Sequence, residues 1–186
     1  MATQPTPTDR PLRADARRNR ERILDAARGA CAEHGAAVQM DDVAGRAGVG
    51  VGTVYRHFAT KEALIEALVA EKLRMFVQYA REALEVDDPW EAITGLLRRD
   101  AEMMAADAGL RDAFAVVGYA GEERGQLDAL GAQLIARGQA AGVLRADLRV
   151  DDIPMLMSGL CASMSNPQFD WRRHLDLVLD SLRARG

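Results

Sequence analysis

The apolar positions of this chain recur with a helical period. Ile23, Leu24, Ala27, Ala30 and Cys31 share one face of a helix predicted from about Ala16 to His34. Met40, Val43, Ala44 and Ala47 stripe a short helix, and Val54 with Phe58 anchors another from about Val51 to Phe58. Leu64, Ile65, Leu68, Val69, Leu73 and Phe76 run through a long helix from Thr60 to about Glu85. Trp90, Ile93, Leu96, Leu97 and Met103 or Met104 mark residues 90–107, and a helix from Leu110 to about Tyr119 follows a break at Ala108-Gly109. Leu127, Leu130, Leu134 and Ile135 stripe residues 126–141. Ile153, Leu156, Met157, Leu160, Cys161 and Met164 predict a further helix. Trp171, His174, Leu175, Val178, Leu179 and Leu182 predict the last.

The punctuation agrees with this pattern. Gly35, Gly48 and Gly142 stand just past helix ends, where a left-handed residue is needed. Thr60 and Asp88 are N-caps, with Pro89 at the first helical position, and Asp151 or Asp152 caps the next-to-last helix. Residues 1–14 contain three prolines and almost nothing apolar, and are expected to be disordered. The expectation is an all-α chain in three parts. A tail spans 1–14, a helical head 15–60 and a larger helical body 61–186, with 61–85 as the connecting helix. A packed helix of that length can act as a lever between head and body.

Two short helices joined at Gly48 form a helix-turn-helix, whose second helix fits a DNA major groove. Val51, Gly52, Thr53, Tyr55, Arg56 and His57 supply small, polar, aromatic and basic groups able to meet phosphates, base edges or a thymine methyl. Lys61 opens the following helix, where the dipole also favours a phosphate. From spacing alone, an ordinary helical hairpin with a solvated polar face fits equally well. The chain of 186 residues carries a net charge of -4, which by itself argues against nucleic acid. Residues 10–74, however, hold 12 Lys/Arg against 9 Asp/Glu, a net of +3, and the remainder is net -7. The cluster Arg10, Arg13, Arg17, Arg18, Arg20 and Arg22 reads either as a solvated face or as a contact to flanking DNA.

The run AGVGVGTVYRHFATKEAL, with RERILDAA upstream, resembles the DNA-binding signature of the tetracycline-repressor (TetR) family over about Arg18 to Leu68. The resemblance implies a dimeric, ligand-responsive transcription regulator, usually a repressor, whose partners are a double-stranded operator, a small-molecule effector and a second copy of the chain. It implies that Gln39, Thr53, Tyr55, His57 and Lys61 contact DNA, mostly at phosphates, and that Val51, Gly52 and Arg56 face the bases. The chain departs from the family pattern at Gln39, Gly50, Val51 and Cys31, which bears on the operator sequence more than on the fold.

The last two predicted helices are apolar on one face, with Gly159 and Ala162 permitting close approach. A plain core hairpin is one reading. The resemblance implies a four-helix bundle with a second subunit, which assigns Leu156, Leu160, Met164, Trp171, Leu175, Val178, Leu179 and Leu182 to the dimer interface. It also implies a pocket in the body. The apolar candidates are Met103, Met104, Phe114, Tyr119, Leu134, Met157 and Cys161, with Arg98, Arg99 and Asp100 as polar neighbours. A mostly apolar ligand is expected, although a methionine-rich stripe is also ordinary core.

Cys31 and Cys161 lie far apart in apolar stretches and have no metal-ligand spacing, so buried small hydrophobes are expected, with a redox sensor as the sharper alternative. The three histidines fall in separate helices and form no catalytic cluster. No catalytic residue, metal or cofactor is therefore expected, and a helical enzyme is the weakest reading. No apolar run is long enough to cross a membrane and the N-terminus has no secretory pattern, which points to the cytoplasm.

Overall fold

The computed structural model describes residues 9–109, 111 and 122–184. Among them are eight α-helices: α1 (Asp9–His34), α2 (Met40–Ala47), α3 (Val51–His57), α4 (Lys61–Leu84), α5 (Pro89–Ala106), α6 (Glu122–Ala140), α7 (Asp152–Met164) and α8 (Trp171–Ser181). The helix expected over 110–119 lies, but for Arg111, outside the described residues. The only β pairing among the described residues is a single antiparallel bridge, Leu144 to Arg183. The fold is all-α.

The helix ends follow their local chemistry. The Thr60 hydroxyl accepts a hydrogen bond from the Ala63 N–H at 3.1 Å. Asp88 Oδ1 accepts from the N–H groups of Trp90 and Glu91 at 2.8 and 3.0 Å, with Pro89 where no N–H is required. Asp170 caps α8 in the same way. Two expectations are corrected. Neither Asp151 nor Asp152 caps α7 with its side chain; Asp152 turns back to accept from the Arg149 N–H. Helix α1 begins at Asp9, inside the stretch expected to be disordered; Pro11 falls in its first turn, where a missing N–H costs no helical bond.

The head core joins α1 (Ile23, Leu24, Ala27, Ala30, Cys31), α2 (Met40, Val43, Ala44, Ala47), Val54 and Phe58 to Leu64 and Leu68 of α4. Packing thus carries the head past residue 60. Further along α4, Ile65, Val69, Leu73 and Phe76 pack with Met104 in a second cluster, and Ala83 joins Ala92 and Leu134 in another. One helix is therefore built into the head and the body, and cannot shift without disturbing both.

The body packs α5 against α4, α6 and α7, with α8 covering α7. The 143–148 connector is part of its core. Leu144 and Leu148 are buried, the Arg145 N–H donates to Leu182 O at 2.9 Å, and the Ala184 N–H donates to Val143 O at 3.1 Å.

Candidate nucleic-acid interface

The turn between α2 and α3 depends on Gly48, which sits in the left-handed region at φ 63°, ψ 38°. A side chain there would cost about 1–2 kcal/mol. The Val49 N–H reaches Ala44 O at 3.1 Å, and Arg22 of α1 donates to Ala47 O at 2.6 Å, so the last carbonyls of α2 are met from two sides. Arg20 lies over the Phe58 ring, 5.1 Å from its centroid. Two arginines of α1 thus brace the turn and the end of α3.

Helix α3 has two distinct faces. Val54 and Phe58 are buried in the head core and fix its orientation. The opposite face carries Val51, 38% exposed, Gly52, Tyr55, 50% exposed, and Arg56, with Thr53 and His57 half-buried at its edges. Lys61 is half-buried at the start of α4, beside the end of α3. Gln39 is exposed at the entry to α2 but does not cap it; its Nε2 donates to Ala37 O at 2.8 Å.

The charge pattern separates these residues from the rest of the head. Arg28 pairs with Asp25 and Glu71, Arg46 with Glu33, Arg18 with Asp15 and Arg17 with Glu21. With Arg20 on Phe58 and Arg22 on Ala47, the described arginines of the N-terminal cluster have local partners; the side chains of Arg10 and Arg13 lie outside those described. Among the described residues, the side chains of Thr53, Tyr55, Arg56 and His57 make no hydrogen bond or ion pair. A row of donors without internal partners, aimed outward from a firmly anchored helix, is an arrangement able to bind a polyanion.

The body contains a cavity of about 80 Å³ between α5, α6 and α7. Leu134 and Met157 line it. Met103, Met104 and Cys161 do not; they pack against the α4 cluster, because helical period marks a buried stripe without saying what fills the space beside it. Phe114 and Tyr119 lie outside the described residues. Arg98 and Arg99 point to the surface, on Asp176 at 3.1 Å and Glu82 at 2.9 Å. Asp100, Arg124 and Asp128 line the cavity; the last two are a polar pair that sequence spacing could have flagged at i, i+4. Burial pushes the Asp100 carboxyl up to about 7.

Burial also raises the thiols of both cysteines, with Asp107 adding to the effect at Cys31 and Asp100 at Cys161. Raised thiols carry little thiolate, which argues against a redox sensor. Among the described residues no group of three His, Cys, Asp or Glu could hold a metal ion, and no helix is long and apolar enough to cross a membrane.

The expected interface residues of α7 and α8 divide between buried and half-buried positions of the subunit. Leu160, Leu175, Leu179 and Leu182 are sealed inside the subunit's own core with Ile93, Leu97 and Leu144, and Leu156, Met164 and Trp171 pack against that cluster; Val178 is buried as well. Most of the apolar stripe on these helices is covered by α5 and the 143–148 connector, with Leu156, Met164 and Trp171 half-buried. The surface left outside carries Met155, 65% exposed, Gly159, Ala162 and Leu177, 52% exposed.

Comparison with known proteins agrees with this architecture. The pattern of the bacterial regulatory proteins of the tetR family matches residues 23–68, and that of the SbtR-like transcriptional regulator C-terminal domain matches residues 88–184. A TetR transcriptional regulator from Streptomyces coelicolor is 34% identical, with a TM-score of 0.61, over 90% of this chain and 99% of its own. A TetR regulatory protein from Mycobacterium vanbaalenii is 38% identical, with a TM-score of 0.59, over 93% and 99%. The chain also matches an HTH-type transcriptional regulator of Staphylococcus aureus at 33% identity over 72 residues, 38% of this chain and 39% of that relative's length. With a tetR-type head, a C-terminal domain that matches over half the chain, and full-length structural relatives, this protein belongs to the TetR family of bacterial regulators.

Proposed function

We propose that the protein is a transcriptional repressor that binds a palindromic operator as a homodimer and leaves it when a small, mostly apolar molecule occupies the body. The observation that carries the DNA-binding reading is the outward face of α3, where Tyr55, Arg56, Thr53 and His57 have no partner within the described chain while Val54 and Phe58 hold the helix in place. Tyr55, Thr53, His57, Lys61 and Gln39 serve phosphates, and Val51, Gly52 and Arg56 face base edges.

Two such helices must sit about 34–36 Å apart to enter successive major-groove turns. The exposed stripe of Met155, Gly159, Ala162 and Leu177 supports a two-fold contact between copies, since small residues let helices approach and large apolar ones favour burial. Helix α4 supports coupling of body to head, because it is packed into both. Among regulators of the same fold, FadR from Bacillus subtilis was solved with stearoyl-CoA, and KstR2 of Mycobacterium tuberculosis is a ketosteroid regulator. Both descriptions involve molecules with large apolar parts, which supports a small-molecule effector here.

Selection of bound sequences from random duplexes, with the mass of the complex measured by ultracentrifugation, tests the reading. A palindromic site holding two chains is expected. A monomer without affinity for any duplex at low ionic strength would overturn it.

A further inference from the structure

We propose that the body cavity takes an apolar monoamine, its ammonium seated on the carboxylate of Asp100 and its hydrocarbon between α5, α6 and α7. The proposal rests on the reading above that a small molecule in the body controls the head, and it names that molecule's chemistry.

Asp100 lines the cavity, and its Oδ1 is sealed from solvent with no hydrogen-bond partner. An acceptor in that position is satisfied only by a donor from inside the cavity. The described lining residues do not supply one. Phe76, Ile93, Leu97, Ile135 and Met157 are apolar, and Arg124 donates its Nε to Asp128 at 2.7 Å.

Charge narrows the choice of ligand. Among the described lining residues Arg124 is paired with Asp128, so ionised Asp100 leaves one negative charge there. A single ammonium neutralises that charge and donates to Oδ1 in the same contact. An alcohol satisfies the oxygen but leaves the charge, and a carboxylate or phosphate meets a like charge in a poorly solvated space. Burial holds Asp100 at about 7. A bound ammonium favours the ionised form, so binding at pH 7 releases about half a proton. The cavity holds about 80 Å³ and opens to solvent on one side. It is smaller than the ~150 Å³ cavity that accepts benzene, so only the first few carbons of a chain fit inside and the rest extends toward its open side.

Calorimetric titration of the full chain with n-hexylamine, 1-hexanol and hexanoate tests the assignment, with release from the operator duplex followed in parallel. The amine is expected to bind about tenfold or more tighter than the alcohol. It should also release about half a proton at pH 7, read from buffers of different ionisation heat; hexanoate should not bind. Asp100→Asn should remove the preference for the amine. Failure of the amine to bind, equal binding of alcohol or acid, binding without proton release, or an Asp100→Asn protein that keeps the preference would overturn the proposal. If Asp100→Asn does not fold, the three ligands on the native protein decide. Tight amine binding with the operator still held supports the site and refutes the effector reading. Operator release by hexanol or hexanoate as readily as by hexylamine refutes the amine and spares the effector reading.

Discussion

Gly109 follows α5 and lies directly on the backbone of α1. A Cβ at this position would stand 2.5 Å from the Cys31 carbonyl carbon, 2.8 Å from the Ala32 nitrogen, and closer still to the Cys31 carbonyl oxygen. These are backbone atoms of a helix whose Ala30 and Cys31 belong to the head core, so no rotamer change relieves the clash. Gly109→Ala must therefore force the end of α5 and α1 apart by roughly 1 Å to restore a normal carbon contact near 3.5 Å. Overpacking of this kind costs about 1–3 kcal/mol, which for a chain of this size lowers Tm by about 2–12 °C. Gly95→Ala is the matched control. Gly95 lies exposed inside α5, and a Cβ there meets nothing within 4 Å. Alanine in that helix interior should add about 0.5–1 kcal/mol, raising Tm by about 1–4 °C. Thermal unfolding of the two variants beside the parent is the assay. Opposite signs are expected. A Gly109→Ala protein that melts within 1 °C of the parent would refute the close approach of body and head at this point.

Tyr55→Phe and Lys61→Ala should weaken binding to all duplexes alike, and Lys61→Ala alone should reduce the salt slope, by about 0.9 for the phosphate no longer neutralised, measured by titration at several salt concentrations; a change of sequence preference instead would show that these side chains read bases. Leu177→Asp should dissociate the proposed dimer with little effect on the melt. Leu160→Ala should lower subunit stability by about 2–5 kcal/mol; ultracentrifugation with denaturant unfolding separates the two, and exchanged phenotypes would return the interface to the buried stripe of α7 and α8. Asp100 has a folded pKa of about 7 against an ordinary 3.8, so the native state holds its proton more tightly than the unfolded chain. The contribution is present below about pH 4 and lost as pH rises through 7. Asp100→Asn should flatten this decline in denaturant unfolding across pH 4–8, and an unchanged slope would show that the carboxyl is not buried as described.

Most helices were legible because amphipathic period and capping are local properties. Val54 and Phe58 are four residues apart and had to face one way; once they are buried, Val51, Tyr55 and Arg56 face the other. Gly48 could be read because a left-handed turn needs no tertiary partner. Thr60 and Asp88 cap for the same reason, whereas the aspartates before α7 did not, because the 149–152 turn took the side chain of Asp152 for itself.

What the chain could not declare is what each buried stripe is buried against. Leu160, Leu175 and Leu179 have the same spacing whether they meet a second subunit or their own α5 and connector, and only packing assigned them to the subunit interior. Met103, Met104 and Cys161 look like pocket lining in sequence, yet the open space formed beside Leu134 and Met157 instead. Asp100 follows two arginines in sequence but keeps neither as a partner, because Arg98 and Arg99 reach the surface while Asp100 turns inward. Helical period and helix ends depend on neighbours within about four residues, so sequence alone determined them. The identity of the opposing surface depends on residues tens of positions away, and only the tertiary structure decided it.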